Sequence, residues 1–176
     1  MANNLPPRAV DLAGLPTSIS TPPMAFASFR EAALFWFGFG FHVIPIVPGT
    51  KRPATKWDPW LHDLSGAKIS AYWRQHPAHE VGFIVGAGYI VFDADSRQSV
   101  AALQAMEQQF GVEPMLVVQT KRGEHHYYRR DAGTMATTVA FSTDAFPDRV
   151  DVKTGRTIVI LPPSTGKVIV KMGVTQ

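Results

Sequence analysis

The segment Tyr89-Ile90-Val91-Phe92-Asp93-Ala94-Asp95 runs through apolar residues and ends in two carboxylates at positions i and i+2. In a strand such a pair projects to one side, about 6–7 Å apart at the backbone. Two hard anionic oxygen donors so spaced can hold magnesium or manganese. Ionised carboxylates beside a core are costly unless a cation offsets them. The pair also has a plainer explanation, in which Asp95 caps the next helix and Asp93 sits in a polar turn. Asp-x-Asp occurs at nucleotide-sugar and phosphatase sites as well, so it does not by itself name a reaction.

A second polar cluster follows at Thr120-Lys121-Arg122-Gly123-Glu124-His125-His126-Tyr127-Tyr128. Strand alternation puts His125 and Tyr127 on one face and His126 and Tyr128 on the other. A histidine beside a triphosphate can donate to a phosphate oxygen, Lys121 and Arg122 can neutralise phosphate charge, and Gly123 can let backbone N–H groups approach. A surface strand with solvated charges explains the same residues. The adjacent histidines are not the His-hydrophobe-His pair of rolling-circle nucleases.

Val150-Asp151-Val152-Lys153 sets a third acid in an apolar strand, with Lys153 on the same face. A third carboxylate would complete a two-metal site for in-line phosphoryl transfer; the alternative is a salt-bridged acid on an edge strand. Ser164, after Leu161-Pro162-Pro163, is placed either to touch a sugar or phosphate or to cap a turn. Lys51, Arg52 and Lys56 lie near Trp57 and Trp60 in a Pro- and Gly-bearing loop. Cations with aromatic platforms suit single-stranded nucleic acid or an incoming base, and a solvated loop with both tryptophans in the core suits the residues equally.

These residues need a frame. Residues 1–23 are rich in Pro, Ser, Thr and Asn without a sustained period and read as a flexible lead-in, leaving 24–176 as one catalytic-sized domain. Helical spacing predicts helices over 24–37, 67–75 and 96–110, the last with Val100, Leu103, Met106 and Phe110 on one side and Gly111 as its stop. Short strands are expected at 41–46, 115–119, 124–129 and 167–172. Residues 81–85 and 89–93 read as two strands turned at Gly86-Ala87-Gly88, and 149–153 with 156–161 as a hairpin near Gly155. Residues 47–59 read as a loop. Apolar residues on both faces of 89–93 make that strand central. The order predicts an α/β or α+β domain with a largely antiparallel sheet.

The chain has 176 residues, a net charge of +3 and no cysteine. It is long enough for a core without staples. Disulfides, thiolate catalysis and cysteine-held zinc or iron–sulfur sites are excluded. The mild basicity permits a polyanionic partner without demanding one. The most apolar run, Ala32 to Val47, is broken by Gly38, Gly40, His42 and Pro45 and is too short to span a bilayer. No secretory signal is legible, and the expected location is cytoplasmic.

Taken in order, the Lys-Arg-Pro loop, Tyr72-Trp73, Asp93-Ala94-Asp95, the Thr120–Tyr127 segment, Val150-Asp151-Val152 and Pro162-Pro163-Ser164 resemble the bifunctional primase-polymerase domain of the archaeo-eukaryotic primase superfamily. The resemblance covers roughly residues 28–170. It implies an RRM-like sheet joined to a small α/β lobe, with the site in the cleft between them. It implies that Asp93, Asp95 and Asp151 ligate Mg²⁺ or Mn²⁺ in a two-metal site, and that His125, in Gly123-Glu124-His125-His126-Tyr127, contacts nucleotide phosphate. Some relatives carry Gly-Gly where this chain has Arg122-Gly123 or Gly123-Glu124. Others carry a zinc insertion, for which this chain has no cysteines.

The function expected is metal-dependent, template-directed nucleotidyl transfer that makes or extends primers in plasmid, phage or prophage DNA replication. Its partners would be a single-stranded DNA template and NTP or dNTP substrates. Nucleotide contacts are expected from His125, Arg122, Lys121, Lys153 and Ser164, and template contacts from Lys51, Arg52, Lys56 and Trp57. Many relatives are fused to a helicase. No Gly-x-x-x-x-Gly-Lys-Ser/Thr occurs here, so a helicase would lie on a further segment or a separate chain. The rivals are a metal nuclease using the same acids on water and a non-catalytic RRM-like single-strand binder. An Asp-x-Asp glycosyltransferase would leave the histidine strand and Asp151 unexplained.

Overall fold

The structure is a computed structural model that describes residues 25–130, 139–141 and 150–173. The lead-in expected over 1–23 lies outside the described residues. The fold is α+β, and every strand pairing is antiparallel. Among the described residues, four helices, α1 (Phe29–Gly38), α2 (Asp58–His62), α3 (Gly66–Gln75) and α4 (Arg97–Phe110), accompany seven strands. The strands are β1 (His42–Ile46), β2 (Glu80–Ala94), β3 (Leu116–Gln119), β4 (Glu124–Arg129), β5 (Val139–Phe141), β6 (Val150–Ile160) and β7 (Val168–Met172). The sheet order is β5-β6-β2-β4-β3-β7, with β1 paired to the first half of β2.

The long central strand corrects the expected turn at Gly86-Ala87-Gly88. Gly86 has positive φ (+67°), but β2 pairs with β6 on both sides of it, with register shifts between Ile84 and Gly86 and between Gly86 and Val91, so the chain bulges and continues. Gly155, at φ +58°, stands opposite Gly86 on β6. That pairing also removes the expected hairpin near Gly155: both strands kink together and run on. The sheet therefore passes unbroken from β1 to the β3–β4 end, rather than dividing into two separate strand sets.

Helix boundaries follow local chemistry. Ser28, Ser65 and Ser96 cap α1, α3 and α4 by accepting from the N–H groups of Glu31, Lys68 and Ser99. Gly111, left-handed at φ 62°, ends α4. Leu103 is buried, while Val100 and Met106 pack beside it against Ala94, Val150 and Phe92. Phe110 corrects the expected stripe: it is the last helical residue and is 66% exposed. The helix α2 and the strand β5 were not anticipated from the pattern.

The sheet thus has two dissimilar faces at its β6-β2-β4 centre. The back face carries α4. The front face carries Val91, Leu116, Val118 and Tyr127 and joins the larger core, which includes Trp36, Phe41, Phe83 and Trp73. Phe41 stacks on Phe83 at 4.0 Å between centroids and links α1 to the sheet through Trp36 at 5.7 Å. No helix among the described residues is long and apolar enough to cross a membrane.

Candidate active site

Sheet register brings the sequence-distant acids together. Asp93 on β2 stands directly opposite Asp151 on β6 and directly opposite His125 on β4. Directly opposed residues share a face, so all three lie in one row across the front of the sheet. The row continues to Val118 and Ile169 beyond His125. Val91 and Tyr127, both fully buried, fill the next row inward. The polar row is therefore the rim of the front core.

His125 and Asp93 form the most buried part of this rim. His125 Nε2 lies 3.1 Å from Asp93 Oδ1, with side chains 8% and 12% exposed. Burial lowers the His125 pKa against the opposing pull of Asp93, and the Lys167 and Lys51 charges lower it further. The contacts set which nitrogen serves which partner: Nε2 faces the Asp93 carboxylate, and Nδ1 can accept from the Tyr127 hydroxyl at 3.5 Å. Burial alone would raise the Asp93 carboxyl. The His125 hydrogen bond and the charges of His125, Lys153 and Lys167 outweigh it and hold Asp93 down to about 2. Burial, helped by the Asp93 charge, raises the Tyr127 phenol well above its ordinary value.

Lys153 bridges the two acids. Its Nζ ion-pairs with Asp151 Oδ2 and lies 3.8 Å from Asp93 Oδ2. Asp95 sits one residue beyond the end of β2 and is turned to Arg122, at 2.8 Å. It does not cap α4, because Ser96 does. Among the described residues no three His, Asp or Glu side chains converge as a ready metal cluster. The donor chemistry nevertheless fits a hard divalent ion: Asp93 and Asp151 face one another on one side of the sheet and already share one cation, the Lys153 ammonium. Asp95 would join them only by releasing Arg122.

Gly123 explains how the β3–β4 turn comes to lie against the acids. A Cβ at this position would stand 1.9 Å from the Ala94 carbonyl oxygen, so only glycine permits the approach. The N–H groups of Arg122 and Gly123 donate to Thr120 Oγ1 at 3.3 and 3.1 Å. They are spent within the turn, which corrects the expectation that they face phosphate.

Other expected contacts divide. Lys51 is exposed on the turn after β1 and lies within electrostatic reach of His125 and Lys167. Arg52 and Lys56 are exposed. Trp57 is half-buried beneath the Arg156 guanidinium, 6.0 Å from the ring centroid. Trp60 is buried edge-on to Tyr72 and Trp73, which takes it out of any stacking platform. Ser164 is corrected outright. It is 1% exposed, and its hydroxyl accepts from Val81 N–H at 3.2 Å, so it ties the Pro162-Pro163 turn to β2 and does not reach a nucleotide. Lys121 lies along α4, on the side away from the row.

Lys167 was missed. It lies just before β7, with Nζ 3.5 Å from His125 Nε2, and it feels the charges of both Asp93 and Asp95. Burial lowers its pKa, as does Lys51, against the pull of the two acids. Its only local signal is a cation after Gly166 at a strand start; the β7–β3 pairing is what carries it to the site.

No curated protein matches the chain. A family model described as bifunctional DNA primase/polymerase, N-terminal, matches residues 33–170, and the chain belongs to that family.

Proposed function

We propose that this chain is a metal-dependent DNA primase/polymerase that transfers nucleotidyl units to a primer 3′-hydroxyl on a single-stranded DNA template. Membership of the family supports nucleotidyl transfer in general. The observation that carries the specific reading is the row Asp151–Asp93–His125 on one sheet face, ringed by Lys153, Lys167 and Lys51. Acids for a cation and cations for a polyphosphate are what this reaction requires side by side.

Asp93, Asp151 and a released Asp95 would hold Mg²⁺ or Mn²⁺, which supplies charge neutralisation to the triphosphate and the attacking oxygen. His125 Nε2–H is the donor that would turn from Asp93 to a phosphate oxygen, while Lys167 and Lys51 orient the β- and γ-phosphates. The primer 3′-hydroxyl gives up its proton to solvent water, the bond from its oxygen to α-phosphorus forms as the bond from α-phosphorus to the bridging oxygen breaks, and pyrophosphate leaves. NTP and dNTP are both candidate substrates, and a helicase on a separate chain or segment is a candidate partner.

One observation favours a second reading. Each acid already has a protein cation, Lys153 for Asp93 and Asp151 and Arg122 for Asp95. A chain that keeps those pairs would bind single strands without chemistry. Primer-extension and de novo priming assays with Mg²⁺ or Mn²⁺ separate the readings. Labelled DNA should lengthen with wild type and not with Asp93→Asn or Asp151→Asn. Shortened DNA would indicate a nuclease, and equal elongation by the Asp93→Asn protein would remove the assignment.

A further inference from the structure

On the other side of Asp95 from the His125 row, the first turns of α4 and the β3–β4 turn enclose a groove of about 360 Å³. Its charged lining is Arg97, Lys121, Arg122 and Glu124. Glu124 is engaged, accepting from His126 Nε2 at 2.9 Å, and Arg122 is held by Asp95. Among the described residues Arg97 and Lys121 have no carboxylate partner, and both are exposed. The neutral lining is amide and hydroxyl groups (Gln104, Gln119, Thr120) with small or aliphatic residues and no aromatic ring.

We infer that this groove is a docking track for the sugar–phosphate backbone of a nucleic-acid strand, held by Arg97 and Lys121 and led past Asp95 by Arg122. The inference rests on the polymerase reading above and adds a strand site to it. Unpaired cations with neutral hydrogen-bonding groups suit phosphodiester oxygens. The missing aromatic platform argues against base stacking here, so the backbone is the part that is gripped and binding is indifferent to sequence. Arg122 is the link: it both lines the groove and touches the acid that ends the candidate catalytic segment.

The test measures fluorescence anisotropy of a labelled single-stranded oligodeoxynucleotide against the whole chain across ~50–200 mM potassium acetate. Each removed phosphate contact should make the slope of log K against log salt shallower by about 0.7. Arg97→Gln and Lys121→Gln should each show this change, the double variant about 1.4, and Lys121→Arg none. Arg74→Gln, an exposed cation on α3, should keep the wild-type slope. A wild-type slope in the double variant overturns the inference, as does a weaker magnesium–triphosphate affinity in place of a weaker strand affinity. Failure of primer extension by wild type would strike the polymerase reading alone and leave the slopes to be judged separately.

Discussion

Replacing Gly123 with alanine should damage stability and chemistry together, because of one contact. The added Cβ would meet the Ala94 carbonyl oxygen at 1.9 Å, the carbonyl carbon at 2.9 Å and the Ser96 nitrogen at 3.2 Å. These are backbone atoms, so no side-chain rotation relieves them. The turn must retreat by more than 1 Å before the nearest contact reaches 3.0 Å. Overpacking of this kind costs about 1–3 kcal/mol. With a urea m-value of roughly 2 kcal/mol/M, a loss near 2 kcal/mol lowers the midpoint by about 1 M. The same retreat pulls β4, and with it His125, from the acids; a displacement of about 1 Å at a reacting centre costs roughly 10²-fold in rate. Gly88 is the matched control. A Cβ there meets nothing within 4 Å and its φ is not positive, so Gly88→Ala should be neutral or gain about 0.4–1 kcal/mol. Urea unfolding and primer-extension kcat/KM on both variants decide it. Wild-type values for Gly123→Ala, or equal harm from Gly88→Ala, would refute the claim that this glycine sets the spacing.

Ser164→Ala should lower unfolding stability by about 1–3 kcal/mol, because the acceptor for a buried Val81 N–H is removed; the nucleotide KM of the surviving folded protein should not move, and a raised KM at unchanged stability would restore Ser164 to the nucleotide site. Lys167→Met removes a charged donor at the row and should cost about 10–100-fold in kcat/KM, mainly through the nucleotide KM; an unchanged KM would leave Lys167 as a spectator. The phenols of Tyr72, Tyr127 and Tyr128 are all raised, by burial first and in the last two also by Asp93 or Glu107. The folded state then keeps protons that the unfolded chain gives up near ~pH 10, so this contribution is complete below that pH and stability falls as pH rises above it. Tyrosinate absorbance should show Tyr127 and Tyr128 unionised until the protein unfolds; their ionisation with native far-UV dichroism would contradict it.

Much of this was legible from one sequence. Strand-delivered Asp93, the split of His125 and Tyr127 from His126 and Tyr128, and the central place of β2 all follow from period and apolar character. Local pattern failed where pairing decides. Gly86-Ala87-Gly88 and Gly155 look like reversals along the chain, and only their mutual opposition shows two bulges in two continuing strands. Ser164 and Trp60 have the composition of ligand-binding residues, yet 83 residues of separation hide the Val81–Ser164 hydrogen bond, and an aromatic cluster with Tyr72 and Trp73 hides Trp60. Lys167 was invisible because 42 residues of sequence separate it from His125. Asp95 is the converse case: spacing puts it beside Asp93, but the strand ends at Ala94 and the side chain turns to Arg122.

The adjacent histidines show how one strand serves both faces. His125 looks into the front row, while His126, 1% exposed, looks into the back. There its Nδ1 lies 2.5 Å from Glu107 on α4 and its Nε2 lies 2.9 Å from Glu124, with Tyr128 also donating to Glu107. A polar group buried this deeply is tolerated because every hydrogen-bonding atom of the ring is used. The same bonds tie β4 to α4, and the cap of α4, Ser96, is next to Asp95. A one-residue slip of β4 would exchange His125 with His126 and break the Glu107 clamp and the Asp93 contact at once. The back-face network thus supplies a register lock for the front-face row, which is why a strand carrying two polar residues side by side can still hold one imidazole against one carboxylate.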